Sequence, residues 1–188
     1  MELKNKFILD ACCGPRYMWY DKHHPNTLYI DIREEEKGFI KGAEEVEIKP
    51  DMIADFRDLP KEIREHRFKL IVWDLPHFKS KKLTGVLLKK FGSLHPETWP
   101  YDVNKGFKEL WGVLDEFGVL ILKFSDYHVK FDELLKYIPE RPLFYNKNVS
   151  SGKSEVRWFS FMKIPNGTAG NFTPAGVVEL GLNGSSAD

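Results

Sequence analysis

The chain has 188 residues, 42% hydrophobic and 30% charged, enough for one domain with a proper core and ordinary for a globular protein. Its 28 basic and 28 acidic residues cancel, which argues against a general nucleic-acid binder held by long-range attraction and leaves room for a local basic patch. No stretch approaches the ~18 uninterrupted apolar residues of a membrane helix. Residues 1–6 are charged and lead straight into a strand-like run, without the apolar core of a signal peptide, so a cytoplasmic protein with no membrane partner is expected. Cys12 and Cys13 are adjacent, which suits neither a disulfide framework nor a zinc site. His66, His95 and His128 have no partner at metal spacing, so no metal is expected.

Short apolar runs recur in chain order. Phe7-Ile8-Leu9 ends in Asp10, and Thr27-Leu28-Tyr29-Ile30 ends in Asp31. Met52-Ile53-Ala54 ends in Asp55, Lys69-Leu70-Ile71-Val72-Trp73 ends in Asp74, and residues 118–124 form a fifth run. Near-continuous apolar runs read as strands covered on both faces, as in a parallel sheet. Between them the period turns helical. Residues 15–23 read as a short helix, and residues 61–67 as a helical turn behind Pro60. Residues 83–91 read as a solvated helix with lysines outward and Val86, Leu87 and Phe91 inward. Residues 102–117 place Val103, Phe107, Leu110, Trp111 and Leu114 at helical spacing, with Gly118 as a stop. Residues 131–138 repeat the pattern, and Pro139 ends it.

Residues 142–145 and 156–162 then read as two strands. The loop 146–155 between them has no room for a crossover helix, so they form an antiparallel hairpin. The expected fold class is α/β: a single doubly wound, mostly parallel seven-stranded sheet with an antiparallel terminal hairpin. The domain spans residues 1–164, and residues 165–188, rich in Gly, Ser and Asn, read as a flexible tail.

In open parallel sheets, ligands bind beyond the carboxyl ends of the strands, where strand order reverses. Asp10, Asp31, Asp55 and Asp74 all fall on that edge. Each alone is an ordinary cap or turn residue. Four in series mark a ligand edge. The loop Asp10-Ala11-Cys12-Cys13-Gly14 is small enough for its backbone to approach a ligand closely. It has one glycine, so it is not a G-x-G-x-x-G fingerprint, and it lacks the G-K-S/T of a phosphate loop. NAD and ATP are therefore not expected. Asp31, 21 positions after Asp10, is placed to accept both hydroxyls of a ribose.

This order of residues resembles class I S-adenosylmethionine-dependent methyltransferases over roughly residues 5–164. The resemblance implies S-adenosyl-L-methionine as cofactor. Asp10, Ala11, Cys12 and Gly14 would hold its methionine part, Asp31 its ribose, and Asp55 with Phe56 its adenine. The single glycine in the first loop and the short first helix depart from the family's pattern.

The stretch Trp73-Asp74-Leu75-Pro76-His77-Phe78 resembles the (D/N/S)-P-P-(Y/F/W/H) motif of amino-methyltransferases, and compact enzymes with a D-x-P-H motif in phage genomes are similar. An exocyclic amine is a poor nucleophile because its lone pair is delocalised into the ring. The resemblance implies that Asp74 and the Leu75 carbonyl accept its N–H bonds and direct the lone pair toward the methyl group. Pro76 keeps the turn rigid. His77 and Phe78 would hold the acceptor, and Lys79 would contact it or a neighbouring phosphate. The implied reaction is methyl transfer to an amine nitrogen, with a DNA base (N6 of adenine or N4 of cytosine) first. A small-molecule or protein acceptor, and a cofactor-binding module without catalysis, stay open. A closed pocket over Asp74 favours a small molecule; an open groove lined by Lys79, Lys81 and Lys82 favours nucleic acid. Residues 79–104, or a protein partner, must supply target recognition.

Overall fold

The computed structural model describes residues 2–148 and 154–165. Seven strands form one sheet: β1 (Ile8–Asp10), β2 (Thr27–Asp31), β3 (Met52–Ile53), β4 (Phe68–Asp74), β5 (Leu114–Ser125), β6 (Phe144–Asn148) and β7 (Val156–Met162). Their order is β3-β2-β1-β4-β5-β7-β6. Strands β1 to β5 pair in parallel, and β7 runs antiparallel to both β5 and β6. The chain steps outward from β1 to β3 and then returns to β4 beside β1. This reversal places a crevice beyond the carboxyl ends of β1 and β4. The sheet is the expected one, with its antiparallel terminal pair.

Among the described residues four helices fall between strands: α1 (Lys61–Arg64), α2 (Val86–Phe91), α3 (Trp99–Val113) and α4 (Phe131–Leu135). The core is one cluster in which Val103, Phe107 and Leu110 of α3 and Leu134 of α4 pack with Ile71 and Trp73 of β4, Leu120 and Leu122 of β5 and Phe159 and Phe161 of β7. None of these ten side chains is more than 1% exposed. Burial of that depth is what holds such short helices, because four or five residues cannot sustain helix on their own. No helix among the described residues is long and apolar enough to cross a membrane.

Four expectations need correction. Residues 15–23 form turns, not a helix. Gly14 and Arg16 both have positive φ, 44° and 56°, which no right-handed helix accommodates. Arg16 is held there by hydrogen bonds to the carbonyls of Lys22 and Lys49 and to Asp51, and its guanidinium lies 3.8 Å over the Tyr29 ring. Second, α3 starts earlier than its apolar spacing suggested, with Pro100 in its first turn, and stops at Val113. Leu114 keeps the helical spacing but pairs with Phe68 and opens β5. Third, Val86 and Leu87 of α2 face solvent. Fourth, β6 begins two residues later than read and runs to Asn148, into the expected loop. The rest of that loop, residues 149–153, and the expected tail from 166 onward lie outside the described residues.

Candidate active site

The loop after β1 is threaded between two strands. The Ala11 N–H donates to the Val72 carbonyl of β4 and the Cys13 N–H to the Ile30 carbonyl of β2, both at 2.9 Å. The backbone thus enters the crevice at the switch point, and Gly14 turns it out with its positive φ. A cavity of about 630 Å³ opens there, within the range of small-molecule sites.

Three carboxylates from three strand ends line it: Asp10, Asp31 and Asp74. Asp10 is 1% exposed and accepts hydrogen bonds from the Trp19 indole at 2.6 Å and the Cys12 N–H at 3.2 Å. Burial raises its pKa to about 7, helped by the charges of Asp74 and Asp31 and opposed by those two hydrogen bonds. The folded chain therefore keeps this proton where the unfolded chain has lost it. The stability it contributes is complete below the ordinary value of 3.8 and is lost as pH rises through about 7. We expect the melting temperature to fall across that window. Asp10→Asn should flatten the fall; an unchanged profile would show that Asp10 is ionised throughout.

Asp31 is fixed on both oxygens. Oδ2 accepts the Gly14 N–H at 3.0 Å, and Oδ1 accepts the Arg33 N–H at 3.0 Å and Arg33 Nε at 3.4 Å. Oδ1 thus has both lone pairs engaged, and Oδ2 keeps one free. Arg33 also reaches across the crevice, where its guanidinium caps α2 by donating to the carbonyls of Lys89 and Lys90 at 2.7 and 3.4 Å. Residues 78–94 thereby form a strap over the cavity. It is closed at its base by hydrogen bonds between Phe78 and Leu94 and between Ser80 and Leu94, and it contributes Leu83 and Phe91 to the cavity wall.

Asp74 ends β4 and accepts a 2.7 Å hydrogen bond from the Lys123 ammonium of β5. Burial raises the Asp74 pKa, and Lys123 pulls it back. His77 is pushed down to about 4 by burial, then by the charges of Lys123 and His128, so it is a neutral imidazole at neutral pH. Burial, with Asp31, Asp10 and Asp74 around it, pushes the Cys12 thiol up, which leaves it protonated and poorly nucleophilic.

Asp10, Ala11, Cys12, Gly14, Asp31, Phe56, Asp74, Leu75, Pro76 and His77 thus line one cavity. Three sequence candidates do not line it. Asp55 is turned away because Arg57, two residues on, folds its guanidinium back onto both carboxylate oxygens at 2.7–3.1 Å and bridges to Asp102 of α3. Phe78 packs against His77, Tyr127 and His128 instead. Lys79 donates its backbone N–H to His128 and lays its ammonium 5.7 Å over Trp99. Lys81 pairs with Glu97. Conversely, Arg33, Lys123 and Trp158 line the cavity and had not been singled out. Of these, Lys123 left a trace in the sequence, a charge inside an otherwise apolar run.

Phe56 reaches the wall through a tight fit. A Cβ on Gly106 of α3 would stand 2.5 Å from two carbons of the Phe56 ring and 3.2 Å from Trp73. Phe56 is already wedged edge-on against Trp73, at 5.4 Å between centroids. Gly106→Ala should therefore drive the Phe56 ring into the cavity and cost about 1–3 kcal/mol of stability. Denaturant melts and ligand titration of the variant check both effects; wild-type values in both would refute the fit.

The fold is that of the Rossmann-like methyltransferases. Among solved structures the chain is similar to an rRNA methylase from Streptococcus thermophilus, with TM-score 0.53 and 10% identity, over 84% of this chain and 87% of that one. It is also similar to TrmN from Thermus thermophilus, with TM-score 0.52 and 15% identity, over 85% of this chain and 44% of that one. The chain thus spans less than half of TrmN. No protein-family model and no curated protein matches the sequence.

Proposed function

We propose that this chain transfers a methyl group from S-adenosylmethionine to the exocyclic amine nitrogen of a heteroaromatic ring, with the N6 of adenine or the N4 of cytosine in DNA first. The observation that carries the reading is Asp74: a carboxylate at the end of β4, held by Lys123, beside a neutral imidazole in the crevice where the cofactor would lie.

The donor set suits this cofactor. Asp31 and Asp74 offer negative charge, and Asp10 a buried carboxyl, to a ligand bearing a sulfonium and an ammonium. Asp31 keeps a lone pair on Oδ2 for a ribose hydroxyl, and Phe56 offers an apolar wall to adenine. With Asp55 tied to Arg57, the adenine amine must find backbone or water instead. When bound, the cofactor supplies a methyl carbon made electrophilic by positive sulfur. Asp74 and the Leu75 carbonyl hold the acceptor amine by its N–H bonds and localise its lone pair. Asp74, with its raised pKa, accepts the proton the amine must lose once methylated. His77 flanks the ring without adding charge.

The strap favours a second reading. It covers the cavity with Leu83 and Phe91, and neither Lys79, Lys81 nor Lys82 lines it. A free nucleoside or similar small molecule fits that enclosure, as does a base flipped out of a strand. Calorimetric titration with S-adenosylmethionine tests the cofactor. Micromolar one-to-one binding is expected, with NAD and ATP inert; no binding by the wild type would overturn the proposal.

A further inference from the structure

Asp74, Lys123 and Trp158 stand in one row across the sheet. Asp74 is the register partner of Lys123 between β4 and β5, and Lys123 is that of Trp158 between β5 and β7. Residues directly opposite one another share a face of the sheet, and all three side chains line the cavity. The strand does not need a lysine here. Its neighbours Leu122 and Phe124 are at most 1% exposed, and a partly buried ion pair adds little stability over apolar packing. The Lys123 ammonium makes one hydrogen bond among the described residues, to Asp74 Oδ2. Two of its three N–H groups remain, as does Asp74 Oδ1. A donor and an acceptor therefore sit side by side at the acceptor end of the cavity.

We propose that Lys123 reads the ring nitrogen beside the acceptor amine. Asp74 Oδ1 takes an N–H of the amine while the Lys123 ammonium donates to the adjacent ring nitrogen. This rests on the function proposed above and narrows its acceptor. The pair matches the amine-plus-ring-nitrogen edge that adenine and cytosine share. A keto edge, as in uracil or hypoxanthine, sets a carbonyl oxygen against the carboxylate and an N–H against the ammonium, and both mismatches leave buried polar groups unpaired. Lys123 acts here in recognition, holding the ring edge in register with Asp74, while Asp74 steers the amine lone pair. A carboxamide carries the same donor–acceptor pair. The aromatic rings of Trp158, over which the Lys123 ammonium lies at 5.7 Å, and of His77 line the cavity beside the row and favour a planar ring over a carboxamide.

The test compares wild type, Lys123→Met and Lys123→Arg on adenosine against 1-deazaadenosine and cytidine against 3-deazacytidine. Each probe is given free and within a single-stranded oligonucleotide. Transfer is read as kcat/KM, and equilibrium binding by tryptophan fluorescence in parallel. Wild type should prefer the nitrogen-bearing ring by about ten- to a hundredfold in both readouts. Lys123→Met should lose the preference, handling both rings as wild type handles the deaza ring, and Lys123→Arg should keep it. The free and strand-borne probes separate the two sources of the ring. A preference that survives in Lys123→Met would reduce Lys123 to a prop for Asp74 and overturn the proposal. So would equal use of deaza rings by wild type, or transfer to a glutamine peptide in their place. Transfer without discrimination defeats this proposal alone; neither transfer nor binding with any amine ring defeats the function it rests on as well.

Discussion

Asp74→Ala should lower the methyl-transfer rate by about a hundred- to ten-thousandfold, the span expected when a group that both orients the nucleophile and accepts its proton is removed. The substitution deletes the acceptor for the amine N–H and leaves the Lys123 ammonium, now unpaired, facing the substrate. An amine presented to a bare ammonium meets donor against donor, so the lone pair is no longer steered. Cofactor affinity should change by less than about tenfold, because Asp10 and Asp31 remain. Asp74→Asn retains a carbonyl oxygen and should keep part of the rate, though it cannot take a proton. Steady-state kinetics on the two variants separate the roles. Full activity in Asp74→Ala would remove the central residue of the mechanism.

Asp31→Ala should weaken cofactor binding by about ten- to a hundredfold, from the loss of the carboxylate's charge-assisted hydrogen bond to the ribose and of the backbone it holds. The carboxylate also orders what surrounds it. Its two oxygens hold the Gly14 N–H of the first loop and the backbone of Arg33. Arg33 in turn caps α2 through Lys89 and Lys90. The variant thus loosens the first loop and the strap together, and hydrogen exchange in residues 86–92 should rise with the loss of affinity. Calorimetry shows the first effect and exchange the second. Tight binding by Asp31→Ala would place the ribose elsewhere.

Much of this was legible in the sequence, and the part that was not has a common cause. Apolar runs that end in Asp10, Asp31 and Asp74 show strand and edge at once, because a buried parallel strand tolerates a charge only where it leaves the sheet. Asp55 follows the same pattern and fails, because Arg57 two residues on claims its carboxylate. Composition does not reveal that fold-back; the buried Asp102, 45 residues away, completes it. The segment after β1 reads as helical until the positive φ of Arg16 is known, and that angle depends on distant partners at Lys49 and Asp51. Lys123 and Trp158 join the site only through the register of β5 with β4 and of β7 with β5. Register across such separations is set by packing, which a local pattern cannot encode. The strap was visible as a polar helix, but the tie across the crevice is Arg33, two residues beyond the end of β2.

The most direct test of the account is transfer of labelled methyl from S-adenosylmethionine to single- and double-stranded DNA and to free nucleosides, with the product identified by mass spectrometry. The account predicts a methyl group on N6 of adenine or N4 of cytosine, lost in Asp74→Ala. A methyl group on carbon or oxygen, or no transfer to any amine by a chain that binds the cofactor, would contradict it.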